Sequence, residues 1–370
     1  MANPAKKITE NSTLKLSGEK KYFSKYKTPL TAFPNLLETQ IESFRWFVEN
    51  GIKEAFKEFS PIKDYSDKKF DLEFVSIHLS EPKCNEAFAK QNKVSYESTL
   101  KARVKLINKT IGGEKEQEIF MADLPMMTDH GSFIINGVER TIVPQLARSS
   151  GVFFTELEIK GKKYFGAKII PDRGVWIEIE SESDGSLAVR IDKKRKFPVV
   201  SLLRVLGLAT DDQITKAFAG NEAIENLIAH AIEKDTAKTL HDAYMEIYKK
   251  LRDGDMATPD NARYFINNLF SPERYEFSSV GRFSFNKRFE KDMSDKEMER
   301  RTLSSDDLVT IVSNVFMLNT TPGSHADDID HLGRRRVRFV GEMLQTKIRK
   351  GMSQIKRNIQ DRMSTIDTST

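Results

Sequence analysis

Apolar and polar residues alternate along FDLEFVSIHL (70–79), STLKARVKLINK (98–109) and EQEIFMADLPMM (116–127), with Gly112-Gly113 between the last two. A period of two marks strands with one buried face, so these runs predict an antiparallel sheet, a meander in chain order. Farther on, FIINGVERTIVPQLARSSGVFF (133–154) places Asn136-Gly137 between two β-branched runs. Both residues tolerate positive φ, the requirement of a tight hairpin turn. Such a turn is expected to aim Arg140, Gln145 and Arg148 to one side of a small sheet, an arrangement suited to a phosphate or a base edge. Strand patterns recur at Tyr164–Ile170, Val175–Ile179 and Leu187–Ile191, with turns at Asp172-Arg173-Gly174 and Ser183-Asp184-Gly185. A second β-containing region therefore starts near residue 150.

Helical spacing takes over elsewhere. Leu37, Ile41, Phe44, Phe47 and Val48 fall on one face of an amphipathic helix, whose first part Gly51 interrupts or ends. Beyond Pro198, VVSLLRVLGL, DDQITKAF, NEAIENLIAHAIEK and LHDAYMEIYKKLR carry apolar residues three and four apart. A polar interval, Phe283–Arg301, precedes SSDDLVTIVSNVFML, where Ser304 or Ser305 can cap a helix and Asp306-Asp307 favour its positive end. The last segment reads as one more helix after Gly333, with a strongly basic face. Residues 1–27, rich in Lys, Ser and Thr, read as a disordered or loosely attached arm. Strands and helices segregate along the chain, which is the α+β pattern.

The 370 residues suffice for two or more domains, with 59 Lys+Arg against 54 Asp+Glu and a formal net charge of +5. An excess that small leaves any polyanion site to local clustering. Cys84 is the single cysteine, which rules out an intrachain disulfide and fits a reducing cytoplasm. No apolar run reaches transmembrane length, and Met1–Gly18 lacks a signal peptide's apolar core.

Three local clusters carry possible chemistry. AVRIDKKRKFP sets Arg190, Lys193, Lys194, Arg195 and Lys196 around Asp192, as either a solvated loop or a phosphate-binding one. DDIDHLGRRRVRFVGEM places Asp327, Asp328 and Asp330 ahead of Arg334, Arg335, Arg336 and Arg338. Lacking a Gly-rich phosphate cradle or a second acidic cluster, these carboxylates suit arginine pairing, or acceptance from a base amine, better than magnesium. In ERYEFSSVGRFSFNKRF, Arg282 suits either a phosphate contact or a structural pair with Glu276. Trp176 is either a core residue or an indole on which an unpaired base stacks. His130 and His331 lack partners at metal or catalytic spacing.

These segments resemble the N-terminal part of the bacterial RNA polymerase β subunit. The family reads approximately FIINGxERVIVSQLxRSPGVFF where this chain has residues 133–154, IPNLLEVQLDSFxxFI at the first helix, VRIDRRRKLP at Arg190, RYDLSAVGRxKFN at Arg282 and DDIDHLGNRRIRSVGEM at Asp327. Departures are Pro144 for Ser, Ser150 for Pro, and Arg334 for Asn. The resemblance covers nearly all of this chain but only the first part of the much longer family subunit, so the chain reads as a fragment.

The resemblance implies an α+β fold with an antiparallel-sheet protrusion domain (28–147 and 331–370), an inserted mixed α/β lobe domain (148–330), and the arm at 1–27. It further implies a transcription role, holding duplex and non-template DNA in the enzyme's main channel. Positions matching Arg148, Trp176, Asp192, Asp330 and Arg335 border a pocket for the non-template strand; Lys193, Lys194, Arg195 and Arg282 match DNA contacts. Arg140 and Val143 match the edge of the rifamycin pocket. No cofactor is expected in this chain, since the Mg2+ of nucleotidyl transfer belongs to the β′ subunit. Partners would be DNA, the β′, α and σ subunits and the remainder of β, with no membrane, in the bacterial cytoplasm at the nucleoid. A free-standing single-strand-binding module and a structural assembly element are the rival readings.

Overall fold

In the computed structural model, which describes residues 34–366 apart from 253, 255 and 257, tertiary packing carries the first helical run through Gly51. The expected arm over 1–27 lies outside the described residues. Helix α1 (Glu38–Trp46) passes through a π-turn (Phe47–Gly51) into α2 (Ile52–Phe59), and Gly51 keeps helical angles, φ −59° and ψ −37°. Glycine's weak helix propensity is overridden because Phe47, Ile52 and Phe56 are all buried on one side. The chain continues through β1 (Ile62–Lys63), β2 (Phe70–Pro82), α3 (Glu86–Asn92), β3 (Glu97–Asn108) and β4 (Gly113–Pro125). The four strands pair antiparallel in sequence order, the meander read from their alternation. Leu100, Ala102 and Val104 of β3 point inward. On the opposite face, Lys101 and Lys105 pair with Glu118 and Glu114 of β4.

Strands β5 (Phe133–Ile135) and β6 (Val138–Arg140) form the expected hairpin, with Asn136 at φ 52° and Gly137 at φ 78°. A Cβ at Gly137 would sit 2.6 Å from the Lys93 Cα, so the turn needs glycine for space as well as conformation. Phe133 packs edge-on against Phe44 at 5.5 Å, seating the hairpin on the same core.

A second core follows. Strand β7 (Gln145–Arg148) leads into β8 (Gly151–Ile159), β9 (Lys162–Ile170), β10 (Ile177–Ser181), β11 (Leu187–Ile191) and β12 (Phe197–Pro198). The last five form one antiparallel sheet in the order β12-β11-β10-β9-β8. The helices of this core are α4 (Val199–Val205), α5 (Asp211–Ala217), α6 (Glu222–Lys234), α7 (Leu240–Leu251), α8 (Pro259–Leu269), α9 (Ser278–Arg288), α10 (Asp295–Glu299) and α11 (Ser305–Thr320), with α4, α7, α9 and α11 packed against the strands. Ile169, Ile177, Val189, Leu202, Ile247 and Ile311 are fully buried between sheet and helices. Asn319 on α11 accepts from the Phe165 N–H (2.9 Å) and donates to its carbonyl (3.0 Å), fastening α11 to β9.

The polar interval 283–301 is largely helical, because Arg282, Phe285 and Asn286 recur at helical spacing and all are buried, two of them polar. One sequence expectation needs correction. The final helix does not begin after Gly333. A 3-10 turn (Leu332–Arg334) and strand β13 (Arg335–Arg338) come first, because that segment completes a ladder with β7; helix α12 (Val340–Thr365) follows. Helix α12 returns to the first core, where Gln345 donates to the Gly51 carbonyl (3.0 Å) and the Gly341 N–H to the Ser43 hydroxyl (3.0 Å). Among the described residues no helix is long and apolar enough to cross a membrane.

Ion pairs bridge the two cores. Arg173 binds Glu58 on α2, which also pairs with Arg349 of α12 at 2.9 Å. Arg336 joins Asp172 (2.8 Å) to Glu342 (2.7 Å).

Within the second core, Arg282 is 1% exposed and spends its guanidinium on the carbonyls of Arg300 (2.7 Å) and Thr302 (2.6 Å) and on Asp307 (3.0 Å). Asp307 also closes the capping box of α11 with Ser304. Burial opposes its ionisation, but Arg282 and the Ser304 N–H outweigh burial and hold the carboxyl below its ordinary range.

Asp307→Ala leaves Arg282 buried without a counter-ion and is expected to cost about 3–5 kcal/mol in urea unfolding at neutral pH. A group with a lowered folded pKa stabilises above its unfolded value and loses that contribution as pH falls through the folded one. The gap between wild type and variant should therefore begin to close below about pH 4. An equal midpoint at neutral pH would contradict the assignment. At Gly341, a Cβ would stand 2.1 Å from the Ser43 carbonyl oxygen. Gly341→Ala should destabilise by roughly 1–3 kcal/mol through displacement of α12, and an unaltered thermal midpoint would show that the contact is not needed.

Candidate nucleic-acid interface

Strands β7 and β13 pair antiparallel as a two-stranded ribbon with Arg335 opposite Arg148, Val337 opposite Leu146 and Arg338 opposite Gln145. Like charges placed directly across a ladder repel. Asp330 relieves the Arg148–Arg335 pair: its carboxylate accepts from Arg335 at 2.6 Å and lies 3.9 Å from Arg148 Nη2. That carboxylate side chain is 71% exposed, so one face stays open to an incoming donor.

Trp176 completes the group. Its ring centroid lies 6.0 Å from the Arg148 guanidinium carbon, and the indole is only half-buried. Trp176 immediately precedes β10 instead of lying within a strand, contrary to the sequence pattern, and its carbonyl accepts from the Asp192 N–H at 2.9 Å just beyond the Ile177–Ile191 pair. Asp192 and Lys193 take positive φ, 47° and 58°, in a turn closed by the Lys194 N–H on the Ile191 carbonyl at 2.9 Å. The turn thus sets exposed Asp192 beside Trp176. Arg148, Trp176, Asp330 and Arg335 form one run of contacts, which Asp192 joins through its backbone; the five come from four separate segments of the chain.

The same turn projects Lys193, Lys194 and Arg195 into solvent. With Arg190, Lys196 and Lys250 they line a concavity of about 340 Å³. Lys196 is neutralised by Glu180 and Glu182, each at 2.8 Å. Among the described residues no carboxylate lies within ion-pair distance of Lys193, Lys194 or Lys250, so the concavity keeps an excess of positive charge. Lys250, at the end of α7, escaped sequence reasoning; nothing local links a helix-terminal lysine to a distant turn.

Other site candidates fall elsewhere. Arg282 is corrected: its guanidinium is buried, bonded to Asp307 and two carbonyls and out of reach of a phosphate, and Glu276 pairs with Arg173 and Arg301 instead. Arg140 is exposed on β6, in a different two-stranded sheet from Gln145 and Arg148, so the three do not share one sheet face. Val143 lies beyond that strand and is 71% exposed; the neighbouring Ile142 carbonyl accepts from Gln40 at 2.9 Å and anchors the segment. Ser150, which replaces the family's proline, is buried with its hydroxyl 2.9 Å from that of Ser278, a bond proline could not make.

Asp327 pairs with the edge of β8, accepting from the Phe154 N–H at 2.8 Å, and takes a bidentate bond from Arg288 at 2.6 and 3.0 Å. Arg334 Nη1 stands 2.9 Å away as an ion pair without hydrogen-bond alignment. Burial raises the pKa of Asp327, yet Arg288 and the Phe154 N–H prevail and keep it below the ordinary carboxylate range. The positive charge of Arg334 is thus spent inside the fold. With Asp327 and Asp330 engaged by arginines, the acidic cluster does not fit a magnesium ion, and among the described residues no group of three His, Cys, Asp or Glu is placed to hold a metal.

The family model described as RNA polymerase Rpb2, domain 2, matches residues 148–338. The DNA-directed RNA polymerase subunit beta of Syntrophomonas wolfei subsp. wolfei is 41% identical over 350 residues, covering 94% of this chain and 31% of the relative. That of Geobacillus thermodenitrificans is 35% identical over 421 residues, covering 91% of this chain and 35% of the relative. The chain spans about a third of the length of these curated relatives. On the strength of the domain match and these relatives, the chain belongs to the bacterial RNA polymerase β-subunit family.

Proposed function

We propose that this chain is an N-terminal portion of a DNA-directed RNA polymerase β subunit that holds duplex and melted DNA during transcription. In this reading the first core with α12 is the protrusion (28–147 and 331–370), and the second is the lobe (148–330), together part of the wall of the main channel. One observation carries the reading: Arg148 lies over the partly buried Trp176 indole, with Asp330 between Arg148 and Arg335 and the Asp192 backbone bonded to the Trp176 carbonyl.

The chemistry is positional. An unpaired non-template base stacks on Trp176 while Arg148 and Arg335 donate to its acceptor edge and Asp330 or Asp192 accepts from its amine. Lys193, Lys194 and Arg195, with Lys250, neutralise backbone phosphates and release counterions. Nucleotidyl transfer and its Mg2+ fall to the β′ subunit, so this portion is not catalytic by itself. The other partners are the α and σ subunits and the rest of β, in the bacterial cytoplasm. Arg140 and Val143, on the first core, form the edge of a rifamycin pocket that later β segments complete.

The test is binding of the full chain to a fluorescent DNA bubble and to the matching duplex across a salt series. The bubble should bind more tightly, and Trp176→Ala should reduce that preference roughly 5- to 100-fold, the range of one base–aromatic stack. Lys193→Gln with Lys194→Gln should lower the salt slope by about 2 on both substrates. Equal affinity for bubble and duplex, unchanged in Trp176→Ala, would refute base capture.

A further inference from the structure

A cavity of about 570 Å³ opens between the start of β8, the outer face of α9 and the turn Leu332–Arg334. That volume lies within the range of small-molecule sites. It is separate from the Trp176 cluster, although Ser149 and Arg334 on its wall are the chain neighbours of Arg148 and Arg335.

Its lining has two chemistries. Lys287, Arg288 and Arg334 supply three cations. Asp327 engages both arginines and is held ionised, while among the described residues Lys287 has no carboxylate within ion-pair distance. The charge around the cavity therefore sums to an excess of two positive charges, which favours an anion. Phe283, one turn before Lys287 on α9, is 48% exposed and lies 5.9 Å from the Lys287 ammonium. The pair offers an aromatic face next to a free cation. Across the cavity, Gly151 has φ 147° and a Cβ there would meet nothing nearer than 3.9 Å, so a planar group can approach the backbone.

We infer that this cavity binds a nucleoside monophosphate unit, with the base on Phe283 and the phosphate at Lys287 and Arg288. The unit can come from a free nucleotide or from one residue of a single strand, since both present the same base and phosphate.

Calorimetric titration of the full chain with adenosine 5′-monophosphate, adenosine, inorganic phosphate and a short single-stranded oligonucleotide tests the assignment. Adenosine 5′-monophosphate should bind saturably and more tightly than adenosine or phosphate alone. Phe283→Ala and Lys287→Gln should each weaken it roughly fivefold or more. Both side chains are exposed on α9, and among the described residues neither has a hydrogen-bond or ion-pair partner, so thermal melting should confirm that the variants fold. Mononucleotide binding that Trp176→Ala abolishes and that Phe283→Ala and Lys287→Gln leave unaltered would place it at the proposed base-capture site and overturn the inference. Oligonucleotide binding that is tighter and equally sensitive to Phe283→Ala identifies a strand as the source; mononucleotide binding without it identifies a free nucleotide. Absence of saturable mononucleotide binding, or binding unchanged in both folded variants, overturns the inference.

Discussion

Pairing of Gln145–Arg148 with Arg335–Arg338 brings together the two chain segments that flank the whole second core. A ladder between segments so far apart closes a long loop, and the entropy of that closure must be offset by contacts made once it forms. The ion pairs between the cores supply such contacts: Arg173 with Glu58, and Arg336 between Asp172 and Glu342. The same ladder puts two arginines opposite each other, a repulsion tolerable only because Asp330 stands beside both. Joining the cores and assembling the candidate interface are therefore consequences of one pairing.

Rigidity around that ribbon comes from buried charge as much as from apolar packing. Arg282 and Asp307 tie α9, the segment before α11 and the first turn of α11 into one unit, with the acceptors of Arg282 supplied by Arg300, Thr302 and Asp307. Asp327 does the same at the sheet edge, binding Arg288, Arg334 and the β8 backbone. Such pairs are weak sources of net stability but expensive to break singly, so they fix geometry where the surface must stay open. Exposed charge is left at Asp330, Lys193 and Lys194, where a nucleic acid can reach it.

Local patterns made much of the fold legible. The meander, the Asn136-Gly137 hairpin and the Ser304 cap follow from period-two alternation, φ tolerance and capping chemistry, all of which act within a few residues. Failures fell where distant packing decides. Gly51 stays helical because its neighbours are buried, Arg335–Arg338 is a strand because β7 waits opposite, and α9 hides an arginine on its core face. The interface residues carried no spacing signal, since they are drawn from segments far apart; only the family resemblance pointed to them together. Resemblance also misplaced Arg282, because a motif records identity and not burial.

The central claim is that the indole of Trp176 receives an unpaired base beside Arg148 and Arg335. Its most direct test is photocrosslinking in the assembled polymerase, with a photoactivatable base placed at successive non-template positions of a melted promoter and the crosslinked peptides mapped. The account predicts a crosslink confined to one or two positions and located at Trp176 or the ribbon residues beside it. Promoter melting with crosslinks only to other parts of the enzyme would contradict it.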